Sequence, residues 1–327
     1  MKERIPVFFA SDDGYAPYLA VSLASLMDNA DTNYEYHLII LNDGLSEQHK
    51  TRLRKLKKPG FAMEFVSMKK ELEKMREKES NRLRCDYFTM AIYFRLFIPD
   101  MFPQYDRGIY IDCDTVIPGD ISKLYHQDLQ GKLIGGCVDT SVQDVPELTR
   151  YIDESVGVDH TCYINSGVLL MDLKALREVK FSRYFLSLMN TFHFDSIAPD
   201  QDYINAMLCG QICFLDNTWD VFPERGKPEM KNPQLIHYNL FAKPWCYEGL
   251  PYESYFWKYA AMTDYYAQLR DHLINYSQKQ KAQDAENEKA MGIRGVELAE
   301  HGMRFKDLKL PTPETGVNPI IVRTKAL

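Results

Sequence analysis

Ile5–Ala10, Glu35–Leu41 and Ala62–Ser67 are short apolar or alternating runs that end in polar residues, and each reads as a strand. Between the first two, Leu19, Val21, Leu23 and Leu26 give Tyr18–Met27 a helical spacing. Between the second and third, the turn Asn42-Asp43-Gly44 precedes Ser46-Glu47-Gln48, which opens a charged helix to about Lys58. Strands alternating with helices in this way pair in parallel under covering helices. The chain is therefore expected to be α/β.

The pattern continues less regularly. Lys69–Arg84 is dense in both charge signs and is expected to be an exposed helix or loop. Tyr87–Phe97 reads as an amphipathic helix. Gly108–Ile111, Leu133–Val138, Gly167–Met171 and Ile212–Leu215 read as further strands. Pro146–Ser155, Phe181–Asn190 and Asp202–Leu208 read as helices, and the aromatic stretch Tyr252–Tyr276 as helical throughout. From about Ser277 the texture turns polar, and Pro311, Pro313 and Pro319 punctuate the end. The division expected is a catalytic core over 1–250, a helical region over 251–277 packing on it, and a polar tail or small add-on over 278–327. That last part is partly disordered or offers a dock for a membrane or a partner protein. Its charges nearly balance, which argues against a polybasic membrane anchor.

Net charge narrows the partners. Thirty-nine Lys and Arg against 46 Asp and Glu leave −7, which argues against general nucleic-acid binding. The 21 Tyr suit flat polar ligands such as sugars or bases, and equally a Tyr-rich core. No run of about 18 apolar residues predicts a membrane span, and the apolar start is too short for a signal peptide. The seven Cys include no Cys-x-x-Cys pair and read as reduced, mostly buried residues. The expected location is the cytoplasm, with room for peripheral contact at the inner membrane face.

The sharpest local feature is Ile109-Tyr110-Ile111-Asp112-Cys113-Asp114. Two carboxylates leave the carboxyl end of a strand, the edge where open α/β sheets bind ligands. They can share a hard cation such as Mg²⁺ or Mn²⁺ whose shell a diphosphate completes. Read alone, the same residues equally cap a turn. The string through Val116 also resembles the first motif of the haloacid-dehalogenase-like phosphatases, with Asp112 as nucleophile. That motif normally sits on a first strand, and here three strands precede it.

The remaining motifs resemble glycosyltransferase family 8, the retaining nucleotide-sugar transferases that include glycogenin and bacterial lipopolysaccharide galactosyl- and glucosyltransferases. The resemblance runs from about Ile5 to Trp245. It implies a GT-A fold, a Rossmann-like mixed but mostly parallel sheet flanked by helices, with a helical C-terminal appendage. Val7 to Tyr15 is similar to the family's first strand and nucleotide loop, which implies that Ala10, Asp12 and Tyr15 hold the uridine. Asp12 would accept the uracil N3–H and Tyr15 would stack on the base. Gly14 stands where many relatives carry Asn. Ala91-Ile92-Tyr93-Phe94-Arg95-Leu96 resembles the helix whose Arg bridges nucleotide and sugar; read alone, Arg95 is as well a structural ion pair.

By the same resemblance, Asp112 and Cys113 also touch the nucleotide. Gly135 to Asp139 ends in the donor-sugar carboxylate, Asp139. Asn165-Ser166-Gly167 lines the sugar pocket through Asn165 and Ser166, with Gly167 allowing close backbone approach. Pro199-Asp200-Gln201-Asp202 sets Asp200 on the sugar and Gln201 beneath the anomeric carbon; by itself it is a helix start with acidic first-turn residues. His237 to Trp245 matches His-x-x-Gly-x-x-Lys-Pro-Trp, except that Leu240 occupies the Gly position. The implied metal ligands are Asp112, Asp114 and His237, and Lys243 would pair with the diphosphate. The implied activity is Mn²⁺-dependent (Mg²⁺ as the other candidate) retaining transfer of galactose or glucose from a UDP-sugar to a glycan, glycolipid or glycoprotein. The competing expectations are the phosphatase and a non-catalytic nucleotide-sugar binder.

Overall fold

The computed structural model describes residues 2–76, 90–192, 194–308 and 310. In chain order the elements are β1 (Arg4–Ala10), α1 (Ala16–Asn29), β2 (Glu35–Asn42), α2 (Glu47–Arg54), β3 (Phe61–Ser67), α3 (Lys69–Arg76), α4 (Ile98–Met101), β4 (Arg107–Ile111), β5 (Thr115–Val116), α5 (Ile121–Tyr125), β6 (Ile134–Gly136) and α6 (Pro146–Tyr151). There follow β7 (Val168–Asp172), α7 (Leu173–Glu178), α8 (Phe181–Phe192), α9 (Pro199–Met207), β8 (Ile212–Phe214), β9 (Ile236–His237), α10 (Glu253–Ala260), α11 (Tyr266–Asn275) and α12 (Gln278–Glu300).

Seven strands form one sheet in the order β3-β2-β1-β4-β7-β6-β8. All neighbours are parallel except β7, which runs against both β4 and β6. Side chains alternate between two cores. Val7, Leu38, Ile109 and Leu170 face one, and Phe8, Ile39, Tyr110 and Leu169 face the other. Both faces are covered, as period-2 strands with apolar residues on each side require. The order also lays out a ligand edge. The carboxyl ends of β1, β4 and β6 and the amino end of β7 point the same way, and the chain reverses direction across the sheet between β1 and β4.

A second, two-stranded sheet pairs β5 with β9 in antiparallel register, Thr115 opposite His237. It carries His237 from far down the chain to the residue next to Asp114.

Some expectations are corrected here. The described part of Tyr87–Phe97 is a 3₁₀ helix over Met90–Phe97, while 87–89 lie outside the described residues. Pro99 has no amide for the Arg95 carbonyl, and Arg95 Nε donates to the Ile92 carbonyl at 3.1 Å, so the ordinary α-helical partners are replaced. Lys69–Arg76 is a helix that buries Leu72 and Met75, and the rest of the charged run to Arg84 lies outside the described residues. The aromatic stretch breaks into α10 and α11. Between them the Thr263 hydroxyl donates to the Ala260 carbonyl at 2.9 Å and accepts the Tyr265 N–H at 3.2 Å, a local bonding that competes with the helix.

Beyond Ser277 the polar stretch folds as α12. Ser277 and Gln280 form a reciprocal capping box, and the Gln, Lys, Ala and Glu that follow are strong helix formers. Cys113, Cys137, Cys213 and Cys246 are buried and unbridged, Cys162 and Cys209 are exposed, and Cys85 lies outside the described residues. No helix among the described residues is long and apolar enough to cross a membrane.

Candidate active site

A cavity of about 910 Å³ opens along the ligand edge of the sheet. At its β4 end Asp112, Asp114 and His237 offer ligand atoms that all lie within 4.8 Å of one another. Asp112 and Asp114 leave the end of β4, and the β5–β9 pairing delivers His237, whose Nε2 stands 3.3 Å from Asp114 Oδ1. Two carboxylates and an imidazole are a donor set that suits a divalent cation. The backbone closes directly on this cluster. A Cβ at Gly167 would stand 2.3 Å from His237 Cε1 and 2.8 Å from Asp112 Oδ2, so only glycine fits. The residues present therefore fit a divalent cation.

Charge in the cluster is matched by the chain itself. Lys243 Nζ bonds Asp114 Oδ2, with the ammonium 5.5 Å from the Trp245 ring centre. Burial alone would raise the Asp114 carboxyl, but Lys243 and His237 hold it well below the usual carboxylate range. Burial works against a charged His237, yet Asp220 and Asp114 push it up to about 10. Asp220 Oδ1 lies 3.0 Å from His237 Nδ1. Burial pushes the Asp220 carboxyl up to about 6, against the pull of His237. Sequence reasoning missed Asp220, which belongs to no local motif.

Arg95 is 4% exposed and ties the cluster to the next part of the cavity. Its guanidinium reaches Asp112 Oδ1 at 2.8 Å, Asp200 Oδ2 at 3.1 Å and the Ser166 carbonyl at 2.6 Å. It also stacks over Tyr110, 4.3 Å from the ring centre. The planar fork lets one side chain serve three acceptors.

Beyond Arg95 the groups at the ends of β6, β7 and α9 interlock. Asn165 Nδ2 and Gln201 Nε2 donate to Asp139 Oδ2 at 3.0 and 2.8 Å. Gln201 Oε1 accepts the Ser166 N–H at 3.0 Å, and the Ser166 hydroxyl donates to Asp200 at 2.8 Å. Asp139, Asn165, Ser166, Asp200 and Gln201 are all buried along this cavity. Burial raises the Asp200 carboxyl, and Arg95 opposes that rise.

At the β1 end, the Asp12 carboxylate accepts the Tyr15 N–H at 2.9 Å and Tyr15 is 42% exposed on the cavity. Cys113 Sγ donates to the Ala10 carbonyl at 2.9 Å, joining the ends of β1 and β4. Leu240 lies at the cavity wall with a φ of +53°. The turn thus keeps a left-handed backbone at the position where the motif has Gly, and the Leu240 N–H is taken by Asn239 Oδ1 at 2.8 Å. Every residue singled out in the sequence as a site candidate thus lies in or against one cavity.

The model for Glycosyl transferase family 8 matches residues 6–249, about three quarters of the chain. The chain belongs to this family. The Lipopolysaccharide 1,2-glucosyltransferase of Escherichia coli (strain K12) is 28% identical over 261 residues, covering 74% of this chain and 73% of its own. General stress protein A of Bacillus subtilis (strain 168) is 26% identical over 283 residues, covering 80% of this chain and 94% of its own. Among solved structures, the galactosyltransferase LgtC in complex with donor and acceptor sugar analogues superposes with a TM-score of 0.65 at 21% identity, over 80% of this chain and 96% of that one. The apo bifunctional glycosyltransferase WbbM gives 0.71 at 22% identity, over 84% of this chain and 52% of that one.

These likenesses establish a GT-A-like fold carrying a long C-terminal helix, and a glycosyltransferase family. They also remove the phosphatase expectation. Asp112 follows the fourth strand rather than a first one, and its carboxylate is bonded by Arg95 and by the Tyr110 hydroxyl at 2.7 Å, which leaves it a poor nucleophile.

Proposed function

We propose that this family 8 member is a retaining hexosyltransferase that moves glucose or galactose from a UDP-sugar to a glycan, glycolipid or glycoprotein acceptor. The observation that carries the reading is the chain of contacts from the Asp112–Asp114–His237 cluster through Arg95 to Asp200 and Gln201 within one cavity. Asp112, Asp114 and His237 would hold Mn²⁺, or Mg²⁺ in its place. When bound, the cation supplies Lewis-acid neutralisation of the charge on the departing diphosphate.

The chain's own residues do the rest. Asp12 and Tyr15 hold the uracil, with the backbone at Ala10 and Cys113 beside them. Lys243 moves from Asp114 to the diphosphate, adding charge stabilisation in a closed site. Arg95 keeps Asp112 and Asp200 at a fixed separation. Asp139, Asn165, Ser166 and Asp200 read the sugar hydroxyls.

Stereochemistry follows from what is engaged. A double-displacement route needs a free carboxylate close to the anomeric carbon. Asp200 is bonded to Arg95 and Ser166, and Asp139 to Asn165 and Gln201. Gln201 itself is an amide. Front-face attack suits this set. The leaving phosphate oxygen accepts the acceptor's proton while the Gln201 carbonyl steadies the oxocarbenium-like state.

A neutral hexose suits the sugar end. Asp139 and Asp200 would repel a uronate, and Arg95 is already engaged by two carboxylates. Plant relatives named as probable galacturonosyltransferases align with only about half of this chain.

The test is UDP release from UDP-glucose and UDP-galactose, with Mn²⁺ and with EDTA, beside Asp114→Ala. Metal-dependent release from one sugar, lost in the variant, is the expected result and names the donor. Absence of any Mn²⁺-dependent UDP binding would overturn the reading.

A further inference from the structure

The cavity extends past the donor residues, and its last wall is α12. Asn287, Ala290, Met291 and Arg294 line it. Their spacing of three, four and seven residues puts all of them on one helix face. The matched family region ends at residue 249, so this wall lies outside it.

The helix is pinned on either side of that stripe. Toward its amino end, Asp284 Oδ2 accepts the hydroxyls of Tyr247 and Tyr276, each at 2.7 Å. Toward its carboxyl end, Leu298 and Ala299 are buried and Arg150 pairs with Glu300 at 2.9 Å. Gly295 packs so closely on α6 that a Cβ there would lie 3.1 Å from the Glu147 carbonyl. The middle of the helix is held rigidly over the cavity without filling it.

Its position relative to the residues of the sugar end is also defined. Arg294 reaches Asp195 at 3.8 Å, and a Cβ at Gly295 would meet Ile197 at 3.5 Å. Residues 195–198 lead directly into Asp200 and Gln201. The uridine end lies across the sheet at β1. The strand order runs from β1, at the proposed uridine end, through β4 with the carboxylate–imidazole cluster to β7 and β6 with the proposed sugar residues, and residues of α6 and α12 line the same cavity.

We infer that the Asn287–Met291–Arg294 face of α12 forms the acceptor subsite and binds a neutral saccharide unit. The inference rests on the transferase reading above. The stripe combines an amide, an apolar thioether and a guanidinium, the mixture that a sugar ring with hydroxyl edges and an apolar C–H face requires. Gln283 Nε2 donates to Asn287 Oδ1 at 3.1 Å, which orients the amide and leaves its NH₂ for a hydroxyl. Met291 adapts to a ring face. Arg294 already faces two carboxylates, Asp195 and Glu297, the latter at 3.3 Å. Its charge is balanced, so the stripe selects a neutral sugar over an anionic one.

The experiment compares full-length wild type with Asn287→Ala, Met291→Trp and the outward-facing control Ile293→Ala. Binding of methyl glycosides of glucose, galactose, N-acetylglucosamine and glucuronic acid is followed by saturation-transfer NMR with UDP and Mg²⁺ present. UDP-sugar hydrolysis by water is measured in parallel. At least one neutral glycoside should bind, and the glucuronide should not. Asn287→Ala and Met291→Trp should weaken that binding by about tenfold while UDP affinity and hydrolysis stay within about twofold. Ile293→Ala should match wild type. Unchanged glycoside binding in both stripe variants overturns the inference, as does a wild type that hydrolyses UDP-sugar yet binds no neutral glycoside. A wild type that neither binds UDP nor releases it overturns the transferase reading and this inference with it.

Discussion

His237 Nδ1 and Asp220 Oδ1 lie 3.0 Å apart, with both side chains buried. An ionised carboxylate can only accept, so Nδ1 carries the hydrogen and Nε2 is the nitrogen turned toward Asp114. A carboxylate behind a metal-binding imidazole fixes its tautomer and raises its basicity. Asp220→Asn should therefore weaken Mn²⁺ binding by about 10- to 100-fold while the fold persists. Titration of Mn²⁺ by electron paramagnetic resonance reads this directly. Wild-type affinity in the variant would reduce Asp220 to a packing residue.

Arg95 bridges Asp112 and Asp200 from a site that is 4% exposed. Burial works against its charge, but the two carboxylates keep it firmly protonated. Removing it as Arg95→Gln leaves two carboxylates uncompensated in the interior. Such a loss destabilises by about 3–5 kcal/mol. Arg95→Lys keeps the charge but cannot span Asp112, Asp200 and the Ser166 carbonyl together, so it should recover only part. Urea denaturation of the three proteins gives the order wild type, Lys, Gln. Equal midpoints would show that the ion pairs contribute nothing net.

Asp200→Asn and Gln201→Ala probe the sugar end. Both groups lie beyond Arg95 from the cation cluster, so UDP binding should change little. Turnover should fall by about 100-fold, the scale expected when one group positioned for the developing charge is lost. Calorimetry with UDP and Mn²⁺, set against single-turnover rates, separates the two effects. Parallel losses in affinity and rate would contradict the assigned roles.

The residues that gather in this cavity were picked out in the sequence mainly by their match to the family's ordered motifs, and only the paired aspartates at the end of β4 stood out from local pattern. Asp112 and Asp114 stand out locally at the carboxyl end of a strand, whereas Asn165 and Gln201, in runs that read alone as a turn and a helix start, stand out only through the family resemblance. Asp220 was invisible because nothing near it in the chain marks it. Only the Val221 and Ile236 pairing in the fold brings it to His237. Asp202 read only as an acidic first-turn residue, and it is fully buried and accepts the Tyr151 and Tyr163 hydroxyls, each at 2.6 Å. The residues it binds come from two distant segments, which local periodicity does not register. The stripe on α12 was hidden for a related reason. Asn287 and Arg294 are polar, so a face built to line a polar cavity looks the same as a solvated one.

Leu240 occupies a left-handed backbone at φ +53° where the family motif has Gly. That conformation costs a non-glycine residue about 1–2 kcal/mol, while Gly loses about 0.5–1 kcal/mol through its freer unfolded chain. Leu240→Gly should thus leave stability unchanged or raise it by about 1 kcal/mol. Leu240→Val should lower stability, since a β-branched side chain fits this backbone worst. The two substitutions shrink the same exposed side chain yet should move the urea midpoint in opposite directions. A fall in both would mean that Leu240's contacts outweigh its strain.

Asp202 offers a stability test by pH. Burial raises its carboxyl to about 6 from 3.8, although Ser196, Tyr151 and Tyr163 hydroxyls pull the other way. A carboxyl raised in the folded state favours folding most when protonated. Its contribution is complete below the unfolded value near 4 and is lost as pH rises through about 6. The span of about two units corresponds to about 3 kcal/mol. Asp202→Asn cannot titrate, so the comparison cancels every other carboxylate. The unfolding free energy of wild type minus that of the variant should fall by about this amount between pH 4 and pH 7 and level off above it. Urea denaturation of both proteins at several pH values measures the difference. A flat difference, or one that grows with pH, would mean that the three hydroxyls outweigh burial and keep Asp202 ionised.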